Sequence, residues 1–566
     1  MTQPHSTPDR RVPLRPPTQV MRLARLGSSH QNRLSFMRIL LRRLAREGWR
    51  IEQRLFDIDK TAVGTALYTA HGPTRSYTLV AFAHDLPPEQ RSDRVIAEAW
   101  DATFTLFDGI PTEADIDRLA QNVPLQEAGR ISQSELSLSR ANRSVRLWDH
   151  VVDRLSRGQQ PDAELVASVG YLMRTTAVYG SGKFGAADRE DIADRPEAAA
   201  PFQIEMLSVY LTRCFVLDLV EHMAQRRAPD TATTIAPTLR RSFGIGNSTG
   251  LGMAPYLINH PILLNNWIAA REEALARVRS LDTASATQIA TFRDRLARAV
   301  VNAETWRSAH PLQIEKLVAL RDDLRRLTTH VATTDLAAPR AWDALYLWAE
   351  TALSVEGQEQ LVSLLMEPYA DLVDGLADCL SANEVLGQRI NGAMTIATLQ
   401  ALLKDFYGWA LQTDWTARDA QARAWYVSAE KQEPRLGERF DEPIADYEQP
   451  LAPGRDATAL AQDLAGYPPE NLVATFLLHH PEHRHITRRV QLADRWPYAE
   501  IRDNTIAADV LPIDMLRCKL AFFGAGHFDP RSDRWVRINM FRGAPFPDDL
   551  TPETADDWGY PKAPGP

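Results

Sequence analysis

Lysine is nearly missing from this chain: 7 lysines stand against 57 arginines in 566 residues. Cysteine is almost as scarce. Cys214, Cys379 and Cys518 lie more than a hundred residues apart and form no paired spacing, which excludes a disulfide framework and the Cys-x-x-Cys zinc and redox motifs. No run reaches the roughly 18 uninterrupted apolar residues of a membrane-spanning helix, and no short apolar core with a cleavage site follows the first residues. Kinase, dinucleotide and Walker signatures are also absent, as are nucleic-acid modules. These absences point to a soluble cytoplasmic protein with reduced thiols and no membrane association.

What is present is ordinary globular material, 44% hydrophobic and 24% charged, at a length that implies more than one domain. The net charge of −9 is uneven. Residues 1–46 hold ten arginines and one acid, Asp9, so they carry +9 and the remainder −18. Arginine is abundant throughout, so the basic segment reads as a solvated arm and argues weakly for nucleic acid as a partner.

The expected fold class is mainly α: a central helical bundle with a small N-terminal α+β region and a mixed C-terminal region. Residues 1–27 read as a disordered basic arm and 28–130 as a small α+β domain. In that domain a helix over 31–46 precedes alternating segments at Trp49–Phe56, Ala62–Thr69, Ser76–Phe82 and Ala102–Phe107. A central helical domain is expected over 131–428. There Leu317, Leu320, Leu324, Leu327 and Val331 form one apolar stripe, and Gln203–Met223 is apolar nearly all round, as a bundle's central helix would be. Residues 429–456 read as a connector, 457–543 as a mixed α/β region with a strand at Leu516–Phe523, and 544–566 as a loose tail.

Two glycine-rich segments carry the functional reading. Phe243–Gly252 has four glycines in its last nine residues, interleaved with Asn247, Ser248 and Thr249 and preceded by Arg240 and Arg241. Glycine amides and small polar side chains can hold a phosphate or carboxylate, and two guanidinium forks can complete the site. The second segment, Tyr179-Gly-Ser-Gly-Lys183-Phe-Gly185, retains a lysine in a chain that avoids lysine, which suits a compact charge or a deprotonatable amine. Substrate-binding candidates are therefore Tyr179, Lys183, Arg240, Arg241, Gly246, Asn247, Ser248 and Thr249.

Proton-transfer candidates are Asp218, Glu221 and His222, which share one helix face, and His260 beside the glycine segment. Four histidines at His479, His480, His483 and His485 read as a helix end with partly exposed imidazoles; no metal site is assigned, and the cofactor is left unknown.

These features suggest an enzyme acting on a small anionic metabolite, with acid–base chemistry of lyase, isomerase or transferase type. A non-catalytic helical interaction protein is the second reading. A serine hydrolase using Ser248 is the third, since Gly246-Asn-Ser-Thr-Gly250 matches Gly-x-Ser-x-Gly but is expected between helices, not after a strand. Homo-oligomerisation stays open.

Overall fold

The structure, a computed structural model, describes residues 12–90, 99–125, 129–175, 192, 194–248, 261–308, 311–380, 389–416, 425–428, 434–435, 448–451, 453–500, 512–525, 527–529 and 537–559. Its organising element is a sheet. The first seven strands are β1 (Arg50–Ile58), β2 (Gly64–His71), β3 (Ser76–Ala83), β4 (Ala102–Asp108), β5 (Glu135–Arg143), β6 (Tyr171–Thr175) and β7 (Gly244–Ser248). A small three-stranded sheet comprises β8 (Trp425–Ser428), β9 (Pro434–Arg435) and β10 (Glu448–Leu451), within and beside the stretch read as a connector. The last two strands, β11 (His527–Asp529) and β12 (Arg537–Met540), join the large sheet, whose order is β1-β2-β3-β4-β5-β6-β7-β12-β11. Every pairing in it is antiparallel except β6 with β7.

Alternation along the strands explains the layers. Tyr68, Leu79, Phe104 and Leu106 face the main core, while Leu67, Val80, Phe82, Phe107 and Leu138 face a smaller core closed by Leu119 and Val123. Leu119 lies on the Glu113–Asn122 helix, which begins with a reciprocal Thr112–Asp115 capping box.

Against the main face lies the 25-residue helix Gln203–Arg227, buried along most of its length. Phe215 on this helix packs on Phe56 of β1, Tyr68 of β2 and Phe104 of β4, and Arg213 donates to the Phe243 carbonyl just before β7. One helix thus touches strands from both ends of the run β1–β7, so the sheet curls around it.

The expected central helical bundle is therefore corrected. An all-round apolar helix is present and surrounded, but a curled sheet forms much of its enclosure. The stretch 131–428, read as a helical domain with glycine-rich loops, supplies β5, β6 and β7. Leu516–Phe523, read as a strand, belongs to the helix Pro512–Phe523.

Both ends of the described chain are also more structured than expected. Val20, Met21, Leu23 and Leu26 are buried, as are Ala544, Phe546, Ala555 and Trp558 in the stretch read as a loose tail. Gly27 shows how closely the N-terminal segment docks: a Cβ there would lie 2.2 Å from the backbone of Arg517.

The remaining helices pack beside the sheet, among them Pro261–Arg279, Ala286–Thr305, Pro311–Thr333, Ala341–Ala352 and Val355–Met366. The stripe from Leu317 to Val331 is buried there. Helices Ile396–Leu411, Pro453–Leu464, Val473–His479 and Arg484–Ala493 enclose a second core around Leu403, Tyr407, Leu460, Phe476 and Val490. Among the described residues, no helix is long and apolar enough to cross a membrane.

Candidate functional site

The parallel pair β6/β7 creates a site that an antiparallel sheet would not. Parallel neighbours run the same way, so the chain leaves both at one edge. Tyr171 is in register with Gly244 and Arg174 with Gly246. At the shared carboxyl edge the Asn247 amide donates to the Thr175 carbonyl at 3.2 Å, tying the last described residue of β6 to the end of β7. Strand β12 enters from the same edge, with Arg537 opposite Ser248 and Ile538 opposite Asn247.

Lys519 faces this edge from the Pro512–Phe523 helix. Its Nζ donates to Asn247 Oδ1 at 3.4 Å, and the residue is only 4% exposed. Burial pulls the amine down to about 7, so much of it is neutral at physiological pH. Arg174, also buried, packs beside β7. Both cations escape a sequence reading. The lysine scarcity that singles out Lys183 applies equally to Lys519, but Lys519 sits in an apolar run resembling a strand.

Glycine 246 has a packing reason. A Cβ at that position would lie 2.6 Å from Arg174 Cγ and 2.7 Å from the Tyr171 ring, so the neighbouring strand's side chains occupy that space. Asn247 is buried, and Ser248 ends a strand, not an interhelix loop. The next described helix begins at Pro261. Tyr179, Lys183, Thr249 and His260 lie outside the described residues.

The other candidates gather elsewhere. Asp218 accepts hydrogen bonds from Tyr68 Oη at 2.6 Å and Gln53 Nε2 at 3.0 Å, and burial raises its carboxyl above the usual range. Glu221 accepts from the Ile235 amide at 2.9 Å and is also raised by burial. His222 packs edge-on against Phe56. Arg240 pairs with Asp548 at 2.9 Å, and Arg241 pairs with Asp549.

This second group is remote from Lys519. Phe202, at the start of the central helix, touches Phe523 one turn beyond Lys519, with ring centroids 4.9 Å apart. Asp218 lies about 24 Å further along that helix at 1.5 Å per residue. Arg240 and Arg241 precede the opposite end of β7. The structure thus places Gly246, Asn247 and Ser248 at or near one edge, and Asp218, Glu221, His222, Arg240 and Arg241 toward the other.

No family model, curated protein or solved structure matches this chain, so no role is carried over from a relative.

Proposed function

We propose that the protein is an enzyme acting on a small anionic metabolite, phosphorylated or carboxylated, at the carboxyl edge of β6 and β7. The observation that carries this reading is the buried Lys519 amine, 3.4 Å from Asn247 at the point where both parallel strands end. A neutral amine beside a polar backbone edge can accept a proton from a bound substrate, then hold the resulting positive charge against the substrate's anion. Such proton transfer fits lyase, isomerase or transferase chemistry. Tyr179 is four residues beyond Thr175, within about 14 Å of it along the chain. Thr249 directly follows Ser248. Lys183, Thr249 and the residues around them are the proposed anion contacts, and His260 is a second proton carrier.

A small molecule is favoured over nucleic acid because the N-terminal arginines are engaged internally. Arg15 pairs with Glu272 and Glu359, and Arg38 with Glu367. A reducing, cytoplasmic setting suits cysteines that are free, two of them buried.

The test is a thermal-shift screen of the whole chain against phosphorylated and carboxylated metabolites, repeated on Lys183→Ala and Lys519→Met. A ligand at about a hundred times its Kd should add about 2.7 kcal/mol to stability. One chemical class should raise the Tm of the wild type and lose that effect in both variants. If no class stabilises the protein, or both variants respond as the wild type does, the reading fails.

A further inference from the structure

The second helical core carries a cluster of a different chemistry. Pro481 opens a single 3₁₀ turn, Pro481–His483, between the helices Val473–His479 and Arg484–Ala493. Side chains three residues apart eclipse in that geometry, so His480 and His483 come to one side. Glu482 lies between them in sequence, and Asp463 reaches them from the end of the Pro453–Leu464 helix. One donor atom from each of Asp463, His480, Glu482 and His483 lies within 4.8 Å of all the others.

We propose that these four residues bind a divalent transition-metal ion of the zinc class, which staples the 481–483 turn to the Pro453–Leu464 helix. The spacing suits such an ion. His483 Nε2 is 2.7 Å from Asp463 Oδ2, His480 Nδ1 is 3.2 Å from Glu482 Oε1, and His480 Nδ1 is 3.9 Å from Asp463 Oδ2. Tetrahedral bonds of about 2.0–2.1 Å require donors about 3.4 Å apart, in the middle of that range. Two imidazoles and two carboxylates also match the charge and borderline softness of zinc.

The rings are held in place. Phe476 stacks on both imidazoles, with centroids 4.8 Å from His480 and 5.8 Å from His483, and Tyr467 meets His480 edge-on. Arg484 is exposed to solvent, and Arg489 is committed to Glu500. Outside the quartet, His485 Nε2 meets Asp456 at 3.0 Å and ties the Arg484–Ala493 helix to the Pro453–Leu464 helix. Four protein ligands leave no coordination position for substrate, so the ion's role is structural. Local sequence shows the histidines but not Asp463, which joins them only through helix packing.

The experiment strips the full-length chain with a chelator, then titrates it with zinc(II) by calorimetry and with cobalt(II) by visible absorption. One equivalent should bind, raise the Tm, and give the intense cobalt bands of a four-coordinate site. His485→Gln should keep this behaviour, while Asp463→Asn and His480→Gln weaken binding by at least about tenfold. Absence of stoichiometric binding overturns the proposal, as does undiminished binding in both ligand variants. Should a variant fail to fold, the wild-type cobalt spectrum decides: weak six-coordinate bands exclude the four-ligand site.

Discussion

At the scale of a residue, Lys519 makes a claim about stability as well as chemistry. Its amine titrates near 7 in the folded protein and near 10.4 in an unfolded chain. Between those values the unfolded state binds more protons, so this residue's contribution rises with pH across that window. Below about pH 7 the desolvation of the charged amine opposes folding. Lys519→Met removes that cost while filling similar space. The variant should therefore be more stable than the wild type by on the order of 2–4 kcal/mol at pH 6, with the gap closing as pH approaches 10. Urea unfolding at the two pH values checks it. A variant less stable than the wild type at both would show that the amine is held charged by compensating contacts. A residue kept at a stability cost is one that function has reason to keep, which joins this measurement to the proposed catalytic role.

At the scale of elements, buried arginine–carboxylate pairs fix how helices dock. Arg38 on the Phe36–Arg46 helix meets Glu367, just past the Val355–Met366 helix, through two bonds of 2.6 and 2.9 Å, with both side chains buried. Removing one partner leaves the other, in a low-dielectric site, to longer ion pairs: Arg38 with Asp556 at 3.4 Å and Glu367 with Arg33 at 4.0 Å. Arg38→Met or Glu367→Leu alone should each cost about 3–5 kcal/mol, and the double variant should recover most of it. Chemical unfolding of the four proteins measures the coupling; additive losses would show that the pair does not act as a unit. The same scale shows what sequence can convey. Strands β1–β4 were legible because each alternates over seven to nine residues, and the first three are joined by short connections. Strand β7 was not. Gly246 fits beneath Tyr171 and Arg174 and Gly244 against Met540 and Arg542, which erases alternation, and its partner β12 comes almost three hundred residues later. The central helix announced that it was enclosed, since it is apolar all round, but periodicity does not say whether strands or helices do the enclosing. Leu516–Phe523 is a short apolar run that suits either element, and the wrong choice hid Lys519. The edge at Asn247 was thus half visible: its residues stood out, and the parallel pairing that gives them a shared edge did not.

At the scale of the molecule, the two ends of the described chain close the fold. The C-terminal stretch supplies β12, which pairs with β7, and Asp556, which meets Arg33 at 3.1 Å. The N-terminal stretch threads between helices. Arg15 joins Glu272 at 2.7 Å and Glu359 at 2.8 Å, the Tyr498 hydroxyl donates to the Arg15 carbonyl at 2.7 Å, and Arg25 reaches Glu359 at 3.1 Å. Val20, Met21, Leu23 and Leu26 are at most 1% exposed. Burying four such side chains contributes roughly 6–12 kcal/mol, comparable to the whole stability of a typical domain. Deleting residues 1–27 should therefore abolish cooperative unfolding, where loss of a solvated arm would leave Tm unchanged. The deletion also leaves Glu272 and Glu359 buried with Arg271 as the one cation opposite them among the described residues, at 3.0 and 4.0 Å. Adding Glu272→Gln and Glu359→Gln to the truncated chain should then restore some folding, because two neutral amides replace uncompensated charge. Recovery measured by circular dichroism melting would separate the electrostatic part of the arm's contribution from its apolar part. A truncated chain that melts cooperatively at the wild-type temperature would refute the claim that this segment completes the core.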